Sequence, residues 1–370
     1  MKKVLVISSL VSGGAEKLLV RLADEWARRG DDVIVITLRS PRSDKYRLSD
    51  RVKRISFGAD GLHWYSLIRY AKLLRRLRRE IRRAKPDVVI SFIIKTNILT
   101  LLATGGLPVP VIATEHSVIA RSDISRRNGW LRRMAYRRAA RIVVLTEAAR
   151  TAIGKIVNSV PVVTIPNPLM QDSASADISD VDLRRYFPTS TRTDLRFIVG
   201  MGRLAPIKGF DMLLEAFAIV RRNNPEWRLV IVGEGEARPG LEALAAERGM
   251  QDVIAMPGFV TNAQAILRAA DLFAAPSRFE GFGNAIIEAM AAGLPVVAFD
   301  CPDGPREIIT DGHDGLLVKR DDTAALANAI QRLMDSAEER QRLAQAAALS
   351  VRRYDLERVL DMWDRMLAAS

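Results

Sequence analysis

Two glutamates eight residues apart, Glu280 and Glu288, bracket the stretch RFEGFGNAIIE at 278–288. Ionised carboxylates only accept hydrogen bonds, so two of them aimed at one spot suit a ligand rich in hydroxyls, above all the vicinal diols of sugars. Gly281 and Gly283 let the backbone pass close to such a ligand. The run from Asn284 to Ala292 reads as a helix with Gly293 as its C-cap. Its free N–H groups then fall near Gly283-Asn284, where a phosphate or sugar oxygen can sit. Upstream, GMGRLAPIKGFD (200–211) places Arg203 and Lys208 five apart around a proline. A forked guanidinium and a compact ammonium converging on one point would hold a diphosphate and neutralise it as it leaves. The plainer alternative is a pair of surface charges. Gly13 and Gly14, in SGGAE at 12–16, form either a tight turn or a backbone cradle for a phosphate or sugar hydroxyl. Phe259 and Val260, in MPGFVTNAQ at 256–264, sit at a strand end where backbone groups can meet a base, a weak signal alone.

Such residues need rigid elements behind them. Valine- and isoleucine-rich runs at 4–8, 33–37, 88–92, 111–114, 142–146 and 162–166 alternate with helical patterns. A second series follows at 197–201, 229–233, 271–277 and 295–299, with a short strand near 315–318. Near-continuous apolar strands separated by helices predict parallel sheets covered on both faces. The predicted fold is α/β, with two doubly wound Rossmann-like domains facing across a cleft and the motifs just after strands. The polar, serine-rich stretch 167–195 reads as the linker. It puts the first domain at 1–175 and the second at 176–354. An apolar stripe of Leu356, Val359, Leu360, Trp363 and Leu367 predicts a C-terminal helix, 355–370, packing back on the first domain.

A chain of 370 residues predicts about two domains. One cysteine, Cys301, excludes an intrachain disulfide and a cysteine-based metal site, and three histidines make a poor metal set. The start, MKKVLVISSLVSGGA, has the outline of a leader but reads better as a first strand followed by a helix. Thr96 to Thr114 is 19 residues without a charge, long enough to span a bilayer. Gly105-Gly106 and two prolines break it, so a helix, a turn and a buried strand are expected. The net charge of +13 is uneven: residues 1–170 hold 33 Lys/Arg against 13 Asp/Glu, and residues 171–370 hold 23 against 30. The first half therefore seeks polyanions and the second does not.

EGFGNAIIE resembles the motif of two glutamates separated by seven residues in retaining glycosyltransferases of the GT-B fold, and the chain resembles family 4 of that class. GRLAPIKGFD, PSRFEGFGNAIIEAMAAGLPVVA and GPREIITDGHDGLLV follow the family pattern, most specifically over 200–318. The resemblance implies that Glu288 holds the ribose hydroxyls, Glu280 the transferred sugar, and Arg203 and Lys208 the diphosphate. It implies that the backbone of Phe282, Gly283 and Asn284 touches sugar and phosphate, and that Gly13-Gly14 closes over the donor. His116, in TEHS, matches a histidine the family places near the reacting sugar; its alternative is a structural cleft histidine. The donor would be a nucleotide sugar, most simply a UDP-sugar, with no cofactor and no metal. SFIIKTNI and ATEHS are similar to a bacterial subgroup that extends lipid-linked oligosaccharides.

These enzymes retain anomeric configuration, and the resemblance implies front-face attack. The leaving phosphate oxygen, held by Arg203 and Lys208, takes the proton of the acceptor hydroxyl. The triplet Asp180-Val181-Asp182 lies in the linker and reads as a solvated acidic patch. The stretch 64–85 carries nine Lys/Arg against one Glu, with an apolar stripe of Leu67, Ala71, Leu74, Leu77 and Ile81. A second basic stretch, 121–141, sets Arg126, Arg127, Arg132, Arg133, Arg137 and Arg138 around Trp130, Leu131 and Met134. The stripe of the first reads mostly as core, with a solvated basic face whose excess charge suits an anionic membrane surface; the second suits the membrane or the diphosphate of a polyprenyl-linked acceptor, at the cytoplasmic face of the bacterial inner membrane. The rival readings are a soluble glycan acceptor, a sugar-nucleotide epimerase and a basic nucleic-acid binder. A dehydrogenase lacks its GxGxxG fingerprint here. A nucleic-acid binder lacks a recognisable module.

Overall fold

The computed structural model describes the chain except for residues 12, 61–66, 117–125, 171–180, 261, 302 and 370. The chain divides into two compact units, Met1–Asn167 with Val359–Ser370, and Pro168–Arg358. The junctions fall at 167/168 and 358/359, displaced from the expected 175/176 and 354/355. Two local contacts explain the shift. The Leu169 amide donates to Tyr354 O at 2.7 Å, and the Tyr354 ring meets Phe282 edge-on at 5.3 Å. The start of the expected linker and the segment at Tyr354 are thus tied into the second unit.

The first unit holds β1 (Lys2–Ile7), α1 (Gly14–Arg28), β2 (Asp32–Thr37), β3 (Lys53–Ser56), α2 (Leu67–Ala84), β4 (Val88–Phe92) and α3 (Ile94–Ala103). It continues with β5 (Val111–Glu115), α4 (Arg126–Tyr136), β6 (Arg141–Val144), α5 (Glu147–Ile156) and β7 (Val162–Thr164). The strands form one sheet in the order β3-β2-β1-β4-β5-β6-β7, with every pairing parallel. MKKVLVIS is therefore a central strand, buried over Val4–Ile7. The uncharged stretch after Thr96 is the rest of α3, a turn and β5. No helix among the described residues is long and apolar enough to cross a membrane.

The second unit holds β8 (Arg196–Met201), α6 (Phe210–Val220), β9 (Trp227–Val232), α7 (Arg238–Glu247), β10 (Ile254–Gly258), α8 (Ala263–Arg268) and β11 (Leu272–Ala275). It continues with α9 (Asn284–Ala291), β12 (Val296–Asp300), α10 (Pro305–Ile308), β13 (Leu316–Lys319), α11 (Thr323–Asp335) and α12 (Ala337–Ser350). Its sheet runs β10-β9-β8-β11-β12-β13, again all parallel. This is the doubly wound order of nucleotide-binding domains.

Sequence patterning missed two strands, and both are edges. β3 reads KRIS and is only half-buried, so it lacks the apolar run that marks an inner strand. β10 contains Pro257, and its register with β9 shifts between Ala255 and Gly258; proline is tolerated on an edge, where one face of the backbone needs no partner.

The last helix, α13 (Leu356–Ala368), buries Val359, Leu360, Trp363, Met366 and Leu367. Trp363 packs edge-on against Trp26 of α1, 6.0 Å between ring centres. The Trp26 indole N–H donates to Asp364 at 3.0 Å. Trp363→Ala is expected to destabilise the first unit by about 3–5 kcal/mol, read as a lower urea midpoint. An unchanged midpoint would show that α13 is not integral to that unit.

Candidate active site

In the second sheet, chain order reverses between β8 and β11. The carboxyl ends of those strands border the crevice that such a reversal opens in a doubly wound sheet. The β8 loop ends in a 3-10 turn, Pro206–Lys208, and then Gly209 in the left-handed region at φ 67. A Cβ on Gly209 would stand 2.0 Å from Pro276 O. Only glycine lets the two loops touch here.

Across that contact the Lys208 ammonium meets Glu280 Oε1 at 2.5 Å. Ser277 Oγ donates to the same oxygen at 2.8 Å. Both charged side chains are mostly shielded, with 21% and 15% exposure. Arg203, expected beside Lys208, lies exposed in the same loop. Glu288 is half-buried in the second turn of α9. Gly283, at φ 114, precedes α9, and Asn284 is its first residue. Phe282 is buried against Tyr354, so its backbone is what the loop offers. Phe259, exposed, and Val260, half-exposed, follow the edge strand β10. They share the carboxyl end of the sheet but lie two strands from β8.

Several residues of this site carry no signal of their own in the sequence. Ser277 binds Glu280. Arg278 takes Asp211 in a two-nitrogen grip, at 2.9 and 2.6 Å. Burial acts to raise the Asp211 pKa, but the Arg278 contacts outweigh it and hold the carboxyl below its usual value. Cys301, buried at the end of β12, has its thiol pushed up to about 12 by burial and then by the Glu280 charge. It is an inert thiol, not a nucleophile. Asp182 of the acidic triplet caps a 3-10 turn, accepting from the Arg184 amide at 2.9 Å, while Asp180 lies outside the described residues.

The first sheet reverses between β1 and β4. After β1, Gly13 precedes α1 and Gly14 opens it; Ser12 lies outside the described residues. The Glu16 carboxyl sits over Gly13, where a Cβ would meet its Oε2 at 2.5 Å, and burial raises its pKa. After β4, Ile93 holds φ 73, a strained value for a β-branched residue. After β5 comes His116. Its Nε2 lies 3.1 Å from Thr114 Oγ1, and its ring stacks on Phe92 at 5.7 Å. Burial lowers its pKa to about 4, so the ring is neutral near pH 7.

The basic segments separate into structural and free charges. Arg132, expected to touch a membrane or acceptor, is instead buried and paired with Glu115 at 3.0 Å. The reason is helical phase: Arg132, Ala135 and Tyr136 share the inner face of α4. The Tyr136 hydroxyl donates to Glu115 and accepts from Asn97 Nδ2 at 3.0 Å, which completes a polar knot under the end of β5. Arg133, Met134, Arg137 and Arg138 are exposed, as is Trp130. The side chains of Arg126 and Arg127 lie outside the described residues. On α2, Leu73, Leu77 and Ile81 are the buried stripe. Arg76 and Arg78 donate to main-chain carbonyls of Phe57 and Ala103 at 2.9 and 2.8 Å.

Two family models match the chain: "Glycosyltransferase Family 4" over residues 12–170 and "Glycosyl transferases group 1" over 185–350. A phosphatidyl-myo-inositol mannosyltransferase of Mycobacterium leprae is 31% identical over 93% of this chain and 90% of its own. A GalNAc-alpha-(1->4)-GalNAc-alpha-(1->3)-diNAcBac-PP-undecaprenol alpha-1,4-N-acetyl-D-galactosaminyltransferase of Campylobacter jejuni is 29% identical over 100% of this chain and 98% of its own. The crystal structure of Anabaena HepE in complex with UDP and glucose superposes over 100% of both chains with a TM-score of 0.84 at 22% identity. Fold and family models together define a glycosyltransferase of the GT-B fold. The chain belongs to family 4 of the glycosyltransferases.

His116 makes stability depend on pH. Folded, it stays neutral down to about pH 4, below the 6.5 of a free side chain. The unfolded chain therefore binds more protons in that window, and stability falls as pH drops through it. Melting temperature should decline from pH 6.5 toward 4, and His116→Gln should flatten that decline. Parallel profiles for the two proteins would remove His116 as the cause.

Proposed function

We propose that this chain transfers a hexose or N-acetylhexosamine, with retention and without a metal, from a nucleotide sugar to a lipid-linked glycan. The donor is most simply a UDP-sugar, and the acceptor a polyprenyl-diphosphate glycan at a membrane surface. The observation that carries this reading is the Lys208–Glu280 pair at the reversal of the second sheet. In the proposal, the diphosphate takes Lys208 and Arg203, and Glu280, released from Lys208, accepts hydrogen bonds from the transferred sugar. Glu288 accepts from the ribose. The backbone of Phe282, Gly283 and Asn284 and that of Gly13-Gly14 meets sugar and phosphate, and Phe259-Val260 the base. His116, neutral, lies by the reacting sugar as a hydrogen-bond partner.

In the proposed reaction, the bond from the anomeric carbon to the phosphate oxygen breaks and a bond to the acceptor oxygen forms on the same face. The acceptor's proton moves to the departing phosphate oxygen. Two cationic side chains offset the charge developing there, the work a metal does in other enzymes. The name of the Campylobacter relative carries a -PP-undecaprenol acceptor, and that of the Mycobacterium relative a phosphatidyl-inositol; both support a lipid acceptor here. So does the exposed face of α4, where Trp130 and Met134 stand among Arg133, Arg137 and Arg138, apolar and basic groups suited to an anionic interface. A soluble glycan acceptor is the second reading.

Glu288→Ala should weaken nucleotide binding by about 10–100-fold, the value of hydrogen bonds to one charged group. Glu280→Ala should instead lower transfer or change the sugar chosen, with nucleotide affinity near normal. Saturation-transfer NMR with UDP-, GDP- and ADP-sugars reads the binding and a sugar-transfer assay the turnover, and a chain that binds none of these donors overturns the proposal.

For the membrane, reversal of Arg133, Arg137 and Arg138 to Glu should release the protein from anionic liposomes in sedimentation, each charge contributing about 1 kcal/mol. Retained sedimentation after reversal would favour the soluble acceptor.

A further inference from the structure

Arg278 ties the two loops of the crevice together through backbone and side chain alike. Its amide donates to Ile207 O at 2.8 Å. Its Nη1 donates to Pro206 O at 2.6 Å and to Asp211 Oδ1 at 2.9 Å. Its Nη2 donates to Asp211 Oδ2 at 2.6 Å, and its Nε lies 3.4 Å from Asp321 Oδ1. Most of the five guanidinium N–H donors are therefore engaged, which leaves little to offer a ligand. The groups it holds lie on both sides of Lys208: Pro206 and Ile207 before it, Asp211 after it. The Lys208 side chain is not among them. Its ammonium rests on Glu280, two residues beyond Arg278 on the other loop.

Backbone is fixed and side chain is left to turn. A lysine stem has rotatable bonds enough to exchange one anion for another within a few ångströms, provided its Cα stays in place. We propose that Arg278 is a positioning residue: it clamps the backbone around Lys208 so that the ammonium passes from Glu280 to the outer phosphate of a nucleoside diphosphate without any movement of the loop. This rests on the reading of the crevice as a diphosphate site. Asp211 is the other half of the clamp. Its carboxylate stays charged because Arg278 holds its pKa down against burial, and Arg278 is held protonated by the same contact.

A positioning role through Lys208 predicts a loss confined to the outer phosphate. Calorimetry on the full chain with UDP, UMP, GDP and GMP measures the ratio of monophosphate to diphosphate dissociation constants. The wild type should prefer one diphosphate to its monophosphate. Lys208→Met and Arg278→Met should each lower that ratio by about tenfold, the loss of one charge-assisted hydrogen bond, with monophosphate affinity unchanged. Arg278→Lys should not rescue it, because an ammonium cannot fork onto Asp211. Asp211→Asn breaks the clamp from the other side and keeps the test open if the Arg278 variants fold poorly. A ratio retained in Arg278→Met and Asp211→Asn overturns the inference, as does equal weakening of both nucleotide classes. A wild type with no preference for any diphosphate overturns the site reading itself.

Discussion

The second unit depends on a contact between like surfaces of backbone. Gly209 and Pro276 O approach so closely that a Cβ would stand 2.0 Å from the carbonyl. From that contact the Lys208 and Glu280 side chains reach each other. A doubly wound sheet supplies the setting, because the reversal between β8 and β11 opens a gap at their carboxyl ends. The Lys208–Glu280 ion pair fills part of that gap. Two opposite charges held together while largely shielded from water cost less than either one alone. A diphosphate offers the lysine more charge than one carboxylate does, and the hydroxyls of a sugar offer the glutamate neutral donors. In the proposed exchange of partners, every charged group is satisfied at the start and at the end.

The same logic governs the first unit with different parts. Under the end of β5, Glu115, Arg132, Tyr136 and Asn97 bind one another in the core. Removal of one partner would strand the others, so the knot fixes how α4 meets the sheet. His116 follows Glu115 directly. Its ring, stacked on Phe92 and kept neutral by burial, has a hydrogen-bonding nitrogen without a formal charge. A neutral imidazole can donate or accept as its partner demands, whereas a cation could only donate.

The inner strands of both sheets were legible because parallel strands buried on two faces must be apolar throughout. Of the four edge strands, β7 and β13 were also legible, but β3 and β10 were not: β3 carries Lys53 and Arg54, and β10 carries Pro257, residues an edge tolerates and a centre does not. In the crevice, the residue types and loop positions of Glu280, Glu288, Lys208 and Arg203 were legible from their glycines and spacing. The direct joining of Lys208 to Glu280 was not, since 72 residues separate them in the chain and only the strand order brings them together. Arg278 stood unremarked between serine and phenylalanine for the same reason; its meaning lies in Asp211 and in two carbonyls of another loop. Arg132 misled in the opposite way. It looks like its neighbours in a basic run, and only helical phase turns it inward.

That sorting changes how the charge of the first unit acts. Arg132 is buried and neutralised by Glu115, so it lends little to the outer field, whereas Arg76 and Arg78 are fixed by neutral carbonyls and keep their charge. The exposed charges include Arg75 and Arg82 on α2, with Arg79 and Arg83 beside Glu80 at 3.4 and 3.6 Å, and those near the end of α4. At physiological salt such charges are felt over about 8 Å, so they act on a surface already near and not on one far away. An extended anionic plane satisfies many of them at once; a small soluble glycan, uncharged, satisfies none. The exposed Trp130, 62% accessible, adds an amphipathic ring of the kind that settles at a lipid headgroup boundary. Trp130 and Arg133 thus give α4 a basic, amphipathic outer face.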